Sequence, residues 1–337
     1  MSNLNIGVIG YGYWGPNIVR NFFANSDCTV KSVADGRQER LNLLSKNFPS
    51  IQTVRDGETL INSSEIDAIV IATPVYTHFG LAKRALQQGK HVLIEKPMTS
   101  SVAEADELIE LATQKGLVLM ADHTFLYTGA VQKMKEIIQT EVIGTPLYFD
   151  SARINLGLFQ PDINVLWDLA PHDISILTYL ITEEPESINA TGISHTRNQV
   201  ENIAYLTVNY NSDFIAHFNC SWSSPVKVRQ TLIGGDKKMI LYNDLEPSEK
   251  VRVYDTGYNH KTEEDKTRIM VDYRTGDVFI PKLSSREALA GVADDFVQSV
   301  LQKKDPLSNA RLGRSVVKIL EASQLSIKNK GKEVRIK

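Results

Sequence analysis

A glycine-rich motif near the start of the chain has the spacing of a phosphate-binding turn. Gly10, Gly12 and Gly15 form a G-x-G-x-x-G pattern between a short apolar run and a helical pattern. In such a turn the first glycine allows a tight bend, the second lets the backbone approach a pyrophosphate, and the third permits close packing of helix and strand. The amino end of the helix offers N–H groups to phosphates. The motif predicts a dinucleotide site that includes Tyr13 and Trp14, with a purely structural turn as the alternative.

An acidic residue occupies the position expected to recognise the ribose of such a ligand. Asp35 follows Gly15 by twenty residues, at the end of the second predicted strand. A carboxylate at this position accepts hydrogen bonds from the ribose hydroxyls and disfavours a 2′-phosphate. Arg37 lies two residues further on, where an arginine can pair with a 2′-phosphate or stack on adenine. We expect NAD as the cofactor, with NADP less favoured.

Lys96 lies in the tripeptide Glu95-Lys96-Pro97, directly after another predicted strand. Ligands of open α/β sheets bind at the carboxyl ends of the strands. Pro97 disfavours helical geometry for the lysine and holds it extended, so its side chain can project from the strand end. Taken alone, however, the local sequence favours a solvated surface lysine beside a turn proline.

Asp168 and His172 stand four residues apart at the start of a predicted helix. On a helix they share a face, so the carboxylate can orient or charge the imidazole. A histidine with a pKa of about 6.5 can exchange a proton with a substrate hydroxyl at neutral pH. Alternatively, Asp168 caps the helix, or the pair belongs to a metal site. A metal site needs a third clustered ligand, which the sequence does not show, so we predict none.

Three further residues are candidates for contact with a substrate. Arg153 and Asn155 lie at the end of a predicted strand, where they can hold hydroxyl or phosphate groups. Polar residues at the rim of a core occur at such places without any function. Tyr127 lies near the predicted domain junction, where packing is the favoured explanation.

The elements that position these residues divide the chain in two. Strand and helix patterns alternate over residues 1–122, which predicts a doubly wound parallel α/β sheet of the Rossmann type. Strand-like runs dominate residues 123–337, which predicts an α+β domain with a large, mainly antiparallel, open sheet. Its helices are predicted near residues 131–138, 174–181, 288–301 and 312–327. Because so few helices cannot cover both sheet faces, we expect a homodimer or homotetramer formed through this sheet.

Composition excludes several classes of protein. The 337 residues are 42% hydrophobic and 23% charged, as in an ordinary globular protein of two domains. The net charge of −3, without a basic run, gives no reason to expect nucleic acid or a membrane as partner. No apolar stretch approaches the roughly 18–20 residues of a membrane span, and no secretory signal pattern is seen. With only two cysteines a disulfide framework is also excluded, so we expect a cytoplasmic protein.

Several motifs together resemble those of the Gfo/Idh/MocA oxidoreductases, the glucose–fructose oxidoreductase and inositol dehydrogenase family. The resemblance covers the first domain and the start of the second. It rests on the Gly10–Gly15 turn, Ala72-Thr73-Pro74 with His78, the run from Gly89 to Pro97, and Asp168 with His172. It implies a Rossmann domain followed by an open, mainly antiparallel sheet that is often buried in dimers or tetramers.

The resemblance also implies roles for individual residues. It makes Lys96, Asp168 and His172 the catalytic residues, and leaves open whether the lysine or the histidine is the formal base. It extends the cofactor site to Ala72, Thr73, Pro74, His78, Glu95 and Lys96. Substrate contacts are expected from the three catalytic residues together with Tyr127, Arg153, Asn155 and Asn164.

The sequence around Asp168 departs from that of many sugar-acting members, which carry a glycine-rich run before the aspartate and a glycine before the histidine. This chain reads Trp-Asp-Leu-Ala-Pro-His over residues 167–172. That version resembles members associated with nucleotide-sugar pathways, including hexosamine and hexuronate 3-dehydrogenases. The resemblance therefore implies an NAD-dependent dehydrogenase for a secondary alcohol of a sugar, with a nucleotide sugar as the expected substrate. The alternatives are an inositol-type cyclitol dehydrogenase and a non-catalytic, dinucleotide-dependent regulator.

Overall fold

The computed structural model describes residues 3–157, 159, 163–197, 199–259 and 272–336. The chain forms two compact units, which we call unit 1 (Met1–Thr128 with Arg286–Glu321) and unit 2 (Gly129–Ser285 with Ala322–Lys337). Within the described part of the chain, no helix combines the length and the apolar composition that crossing a bilayer requires.

The helices and strands are numbered in chain order. The helices are α1 (Gly15–Phe23), α2 (Gln38–Asn47), α3 (Gly57–Ile61), α4 (Val75–Gln87), α5 (Val102–Lys115), α6 (Gly129–Gln139), α7 (Val165–Leu180), α8 (Ala288–Gln302) and α9 (Ala310–Lys328), with a short 3-10 helix at Thr124–Tyr127. The first strands are β1 (Leu4–Ile9), β2 (Cys28–Ala34), β3 (Gln52–Val54), β4 (Ala68–Ile71), β5 (His91–Glu95), β6 (Leu119–Asp122), β7 (Pro146–Leu156), β8 (Ser187–Ile193) and β9 (Ile203–Asn209). The others are β10 (Ile215–Ser221), β11 (Ser223–Gly235), β12 (Met239–Asn243), β13 (Val251–Tyr254), β14 (Gly257–Asn259), β15 (Asp272–Arg274), β16 (Val278–Phe279) and β17 (Val334–Arg335).

The sheet of unit 1 is parallel, with the strand order β3-β2-β1-β4-β5-β6. This is the doubly wound order of dinucleotide-binding folds, so the prediction of a Rossmann sheet is confirmed. The strand order reverses between β1 and β4, and ligands of such sheets bind outside the carboxyl ends of the strands at this point. Gly10 follows β1 and Ala72 follows β4. Both predicted cofactor segments therefore lie at the switch point.

The central strands of unit 1, such as β4, are buried on both faces, as their apolar runs predict, whereas the edge strand β3 is not. In β4, Val70 belongs to a core cluster that includes Phe22 of α1, whereas Ile69 and Ile71 belong to a second cluster that includes Leu108 of α5. Successive side chains of a strand point to opposite faces, which explains this alternation.

A late segment of the chain, Arg286–Glu321, belongs to unit 1, so the two units divide the chain differently from the predicted boundary at residues 122 and 123. Helix α8 contributes Val292 and Phe296 to the same core cluster as Phe22. The rings of Phe22 and Phe296 pack edge to face, with centroids 6.2 Å apart. The apolar periodicity of α8 predicts a helix, but it does not show which sheet the helix covers.

The larger sheet of unit 2 has the order β16-β13-β12-β11-β7-β10-β9-β8-β17. β7 and β10 pair in parallel, and the other neighbours pair antiparallel. The prediction of a mainly antiparallel sheet is therefore confirmed. Helix α7 packs against β7, β9 and β10, near the middle of this sheet. Most of its residues are buried, as expected of a helix that is apolar nearly all round.

Candidate active site

The glycine turn after β1 has the shape of a phosphate cradle. Gly10 has a φ of +103°, a conformation that favours glycine, and a Cβ there would overlap the Ala72 carbonyl oxygen. A Cβ on Gly12 would have only the Arg37 guanidinium within 4 Å, in ordinary van der Waals contact at 3.5 Å. The protein itself thus leaves room above Gly12, where the lack of a side chain lets a ligand approach the backbone closely.

The amino end of α1 is also suited to an anion. No side chain among the described residues caps this helix, and Pro16 occupies its first turn. Uncapped N–H groups and the positive end of the helix dipole both favour a phosphate group. Tyr13 and Trp14 lie in the same turn with exposed rings that pack edge to face, their centroids 5.5 Å apart. The residues present therefore fit the pyrophosphate of a dinucleotide.

Asp35 lies directly after β2 and is held by its neighbours. Its Oδ2 accepts a hydrogen bond from the Tyr11 N–H at 2.8 Å, and its Oδ1 accepts one from the Arg37 N–H at 3.0 Å. The Arg37 guanidinium donates to both oxygens at 3.0 Å. Burial alone raises the pKa of Asp35, but the hydrogen bonds from Arg37 and Tyr11 outweigh it and hold the pKa below its usual value. The carboxylate is therefore ionised at neutral pH.

His78 connects the two other strand-end segments of the predicted cofactor site. Its Nδ1 lies 3.0 Å from the Pro97 carbonyl oxygen, and its Nε2 lies 2.7 Å from the Thr73 carbonyl oxygen. The ring is buried, and this burial lowers its pKa. His78 thus fixes the backbone after β4 relative to the backbone after β5.

Lys96 follows β5 at the same edge of the sheet, beside two buried groups that sequence reasoning missed. Asp122 is the last residue of the neighbouring strand β6, where it pairs with Glu95, and His123 follows it directly. Burial raises the pKa of Asp122 to about 6, while the Lys96 charge acts to lower it. Burial and the same charge lower the pKa of His123 to about 3. The charge of Lys96 therefore acts on a polar cluster at the carboxyl ends of β5 and β6.

Asp168 and His172 lie on α7. This helix begins at Val165, nine residues before the span 174–181 predicted from the sequence. Asn164 caps this helix, because its side-chain oxygen accepts a hydrogen bond from the Trp167 N–H at 3.2 Å. The alternative in which Asp168 is the cap is therefore wrong, since Asp168 lies inside the first turn. With a spacing of four residues, Asp168 and His172 lie on the same helix face.

Asp168 is held by a residue that was not among the predicted ones. The indole Nε1 of Trp222 donates a hydrogen bond of 2.9 Å to the Asp168 Oδ2. Trp222 stands between β10 and β11, more than fifty residues further along the chain. The sequence signals only that the indole N–H of a buried tryptophan needs a hydrogen-bond acceptor. It does not identify Asp168 as that acceptor.

Three of the predicted substrate contacts already have partners within their own unit. The Arg153 guanidinium donates to both carboxylate oxygens of Asp173, at 2.8 and 2.7 Å, in a buried ion pair. The Tyr127 hydroxyl donates to Asp295 at 2.7 Å, and the Asn164 amide donates to Glu201 at 3.1 Å. The substrate roles predicted for these three residues stay predictions, as does that of Asn155, which lies half-buried on the sheet face that carries Arg153.

Comparison with known proteins agrees with this geometry in both units. The model for the oxidoreductase family with an NAD-binding Rossmann fold matches residues 4–123, and the model for the Gfo/Idh/MocA C-terminal domain matches residues 131–241. The chain belongs to the Gfo/Idh/MocA oxidoreductase family. The resemblance seen in the sequence motifs is thereby confirmed.

Individual relatives within the Gfo/Idh/MocA family act on different substrates. UDP-N-acetylglucosamine 3-dehydrogenase of Acidithiobacillus ferrooxidans is 33% identical over 218 residues, which are 62% of this chain and 64% of the relative. Myo-inositol 2-dehydrogenase of Thermotoga maritima is 26% identical over 194 residues, 56% of this chain and 58% of the relative. The chain thus matches less than two thirds of the length of these curated relatives.

A solved structure extends the likeness in fold to nearly the whole chain of this Gfo/Idh/MocA member. The crystallised UDP-N-acetylglucosamine 3-dehydrogenase of Acidithiobacillus ferrooxidans superposes with a TM-score of 0.83 at 24% identity, and the match covers 98% of this chain and 100% of that one. At this identity the match establishes the fold.

Proposed function

We propose that the protein is an NAD-dependent dehydrogenase that acts on a secondary alcohol of a sugar, with a nucleotide sugar as substrate. The observation that carries the proposal is the placement of Asp168 and His172 on one face of α7, in a chain whose unit 1 has a glycine turn shaped for a dinucleotide. A regulator that only binds a dinucleotide does not need such an acid–base pair. The relative that acts on UDP-N-acetylglucosamine supports the choice of a nucleotide sugar.

The proposed reaction consists of a hydride transfer and a separate proton transfer. When bound, a nicotinamide supplies the hydride acceptor or donor. His172 takes the proton of the substrate hydroxyl as a general base. Asp168 orients the imidazole and stabilises it once it is charged. The Lys96 ammonium donates a hydrogen bond to the developing alkoxide, where a fixed positive charge is most effective.

A substrate panel tests this function. The purified protein is mixed with NAD and, in turn, with nucleotide sugars, free sugars and cyclitols, and the absorbance of reduced nicotinamide is followed. We expect the highest kcat/KM with a nucleotide sugar, and no signal from a variant with both Asp168→Ala and His172→Ala. Turnover of inositols alone would replace the proposal with a cyclitol dehydrogenase. Dinucleotide binding without turnover of any compound would favour the regulator.

The environment of Asp35 predicts the choice of cofactor. We place the adenosine ribose at its ionised carboxylate, and so we expect NAD to bind at least tenfold more tightly than NADP, a difference of about 1.4 kcal/mol. Replacing Asp35 with serine removes the repulsion and releases the Arg37 guanidinium from its partner. We expect Asp35→Ser to reduce or reverse the preference for NAD over NADP, as measured by calorimetric titration of both dinucleotides.

Two control variants define the result of that titration. Asp27→Ser changes a carboxylate at the other end of β2 and is expected to leave both affinities unchanged. Asp35→Ser combined with Arg37→Ala is expected to lose the gain in NADP affinity. Equal or tighter binding of NADP to the unmodified protein would mean that Arg37, rather than Asp35, determines the choice.

The larger sheet predicts self-association. Exposed apolar side chains on β7, β9 and β10 alternate with buried residues and so share one face: Tyr148, Leu156, Tyr205 and Ile215. This face also carries the exposed pair Asp150 and His217, but exposed apolar side chains grouped in this way are usually covered by a partner. We propose that a second copy covers it, in a homodimer or homotetramer.

Sedimentation velocity at micromolar concentration tests this assembly. The unmodified protein is expected to sediment as a dimer or tetramer. Ile215→Asp places a charge on the apolar face and is expected to shift the protein toward monomer. Val142→Asp, at an exposed position after α6, serves as the control and is expected to leave the mass unchanged. A purely monomeric unmodified protein would contradict the proposal.

A further inference from the structure

Trp222 occupies the single position between β10 and β11, where the chain crosses the end of β7. β10 pairs with β7 on one side and β11 pairs with β7 on the other. At the crossing, the Trp222 carbonyl oxygen accepts a hydrogen bond from the Gly157 N–H at 3.0 Å, and the Trp222 N–H donates to the Asn202 carbonyl oxygen at 2.9 Å. The backbone of Trp222 is therefore fixed from two sides.

The indole ring of Trp222 is equally constrained. Only 1% of the residue is exposed. A Cβ on Gly157 would lie 2.9 Å from Cγ of the ring, so the ring packs against a position where only glycine fits. Phe159 packs on it with ring centroids 5.6 Å apart. A side chain held in this way has one available direction for its N–H group.

That N–H group points to the Asp168 carboxylate, with 2.9 Å between Nε1 and Oδ2. A hydrogen bond to an ionised carboxylate is stronger than one between neutral groups, and it fixes the direction of the acceptor. Asp168 lies on the same face of α7 as His172, one turn earlier. A residue of the sheet thus fixes the orientation of the Asp168 carboxylate, which in the proposed function orients His172.

We propose that Trp222 is a positioning residue, whose indole N–H holds the Asp168 carboxylate in the orientation that serves His172. The proposal rests on the proposed function, in which Asp168 orients the general base. Phenylalanine would fill most of the same space but has no N–H group, so the direction of the carboxylate would no longer be fixed. The consequence is a histidine that samples unproductive orientations.

The contact itself can be tested without any substrate. The chain contains three tryptophans, so a ¹⁵N-labelled sample gives at most three indole N–H cross-peaks in an NMR spectrum. The peak of Trp222 is assigned by its loss in Trp222→Phe. We expect this peak to shift upfield in Asp168→Ala, because the N–H loses a charged acceptor, while the peak of Trp14 keeps its position. An unmoved Trp222 peak would overturn the proposal, and this test retains the tryptophan even if Trp222→Phe folds poorly.

Kinetics of the full chain test the consequence of the contact. We expect Trp222→Phe to lower kcat by about 10–100-fold, the range for losing a hydrogen bond to a charged group. The KM for the dinucleotide is expected to stay unchanged. Trp167→Phe, the same substitution on α7, is the matched control, and its kcat is expected to fall by less than threefold.

A double-variant cycle separates positioning from general packing. If Trp222 acts through Asp168, then Trp222→Phe causes no further loss of kcat in an Asp168→Ala background. An equal loss in both backgrounds would overturn the proposal and make the tryptophan a packing residue. If Asp168→Ala itself keeps full activity, the proposed function of Asp168 fails as well, and this outcome is distinct from a failure of Trp222 alone.

Discussion

Replacing His172 with alanine is expected to lower kcat by about 10²–10⁴-fold, the usual contribution of general acid–base catalysis. The affinity for NAD is expected to stay within about twofold, because the glycine turn and Asp35 belong to unit 1 whereas His172 belongs to unit 2. Stopped-flow measurement of reduced nicotinamide gives kcat, and calorimetric titration gives the affinity.

The control for His172 is Thr178→Ala, which lies further along the same helix and is expected to retain full turnover. His172→Gln provides a second variant with a polar side chain of similar length that cannot act as a base near neutral pH. Turnover near that of the unmodified protein, in a folded His172→Ala variant, would remove the histidine from the mechanism and leave Lys96 as the base.

Lys96→Ala is expected to lower both kcat and the affinity for the dinucleotide. Loss of a donor to a developing oxyanion costs about 10²–10³-fold in kcat. Lys96 follows β5 at the carboxyl edge of the sheet, where the cofactor segments after β1 and β4 also lie. We therefore expect NAD to bind about tenfold more weakly, a change of about 1.4 kcal/mol.

Two variants accompany that measurement. Lys83→Ala removes a partly exposed lysine that pairs with Glu107 on the surface of unit 1. Such pairs contribute little, so we expect neither kcat nor the affinity for NAD to change. Lys96→Met keeps the length of the side chain without its charge and is expected to behave like Lys96→Ala. A large loss of kcat with unchanged NAD affinity would mean that Lys96 contacts the substrate and not the cofactor.

Much of the fold of unit 1 could be predicted from local patterns, because its central strands carry apolar runs and its longer helices have their own periodicity. The end of helix α4 is an example, since Gly89 has a φ of +76° just after the helix, as expected of a terminating glycine. The short edge strand β3 and helix α3 are not predicted in this way. The start of α7 could not be predicted in this way either. Pro171 looks like a first-turn proline, yet the helix begins at Val165 and the proline lies inside it.

The candidate site shows the same division between local and distant information. The glycine turn, Asp35 and the Asp168–His172 spacing are short-range patterns whose physical meaning can be read in sequence. The Trp222–Asp168 hydrogen bond depends on the order of strands in a nine-stranded sheet, which no local pattern specifies. Asp122 is likewise brought beside Glu95 only by the pairing of β5 with β6.

The interrupted course of unit 1 along the chain has a consequence for biosynthesis. Residues 129–285 are translated between the first and second segments of this unit. Until α8 emerges from the ribosome, the core around Phe22 lacks Val292 and Phe296, and apolar surface on that side of the nascent sheet stays uncovered. The dinucleotide-binding unit is therefore the first to be started but is completed late. A chain released from the ribosome before residue 302 is added would have its glycine turn but an incomplete core beneath it.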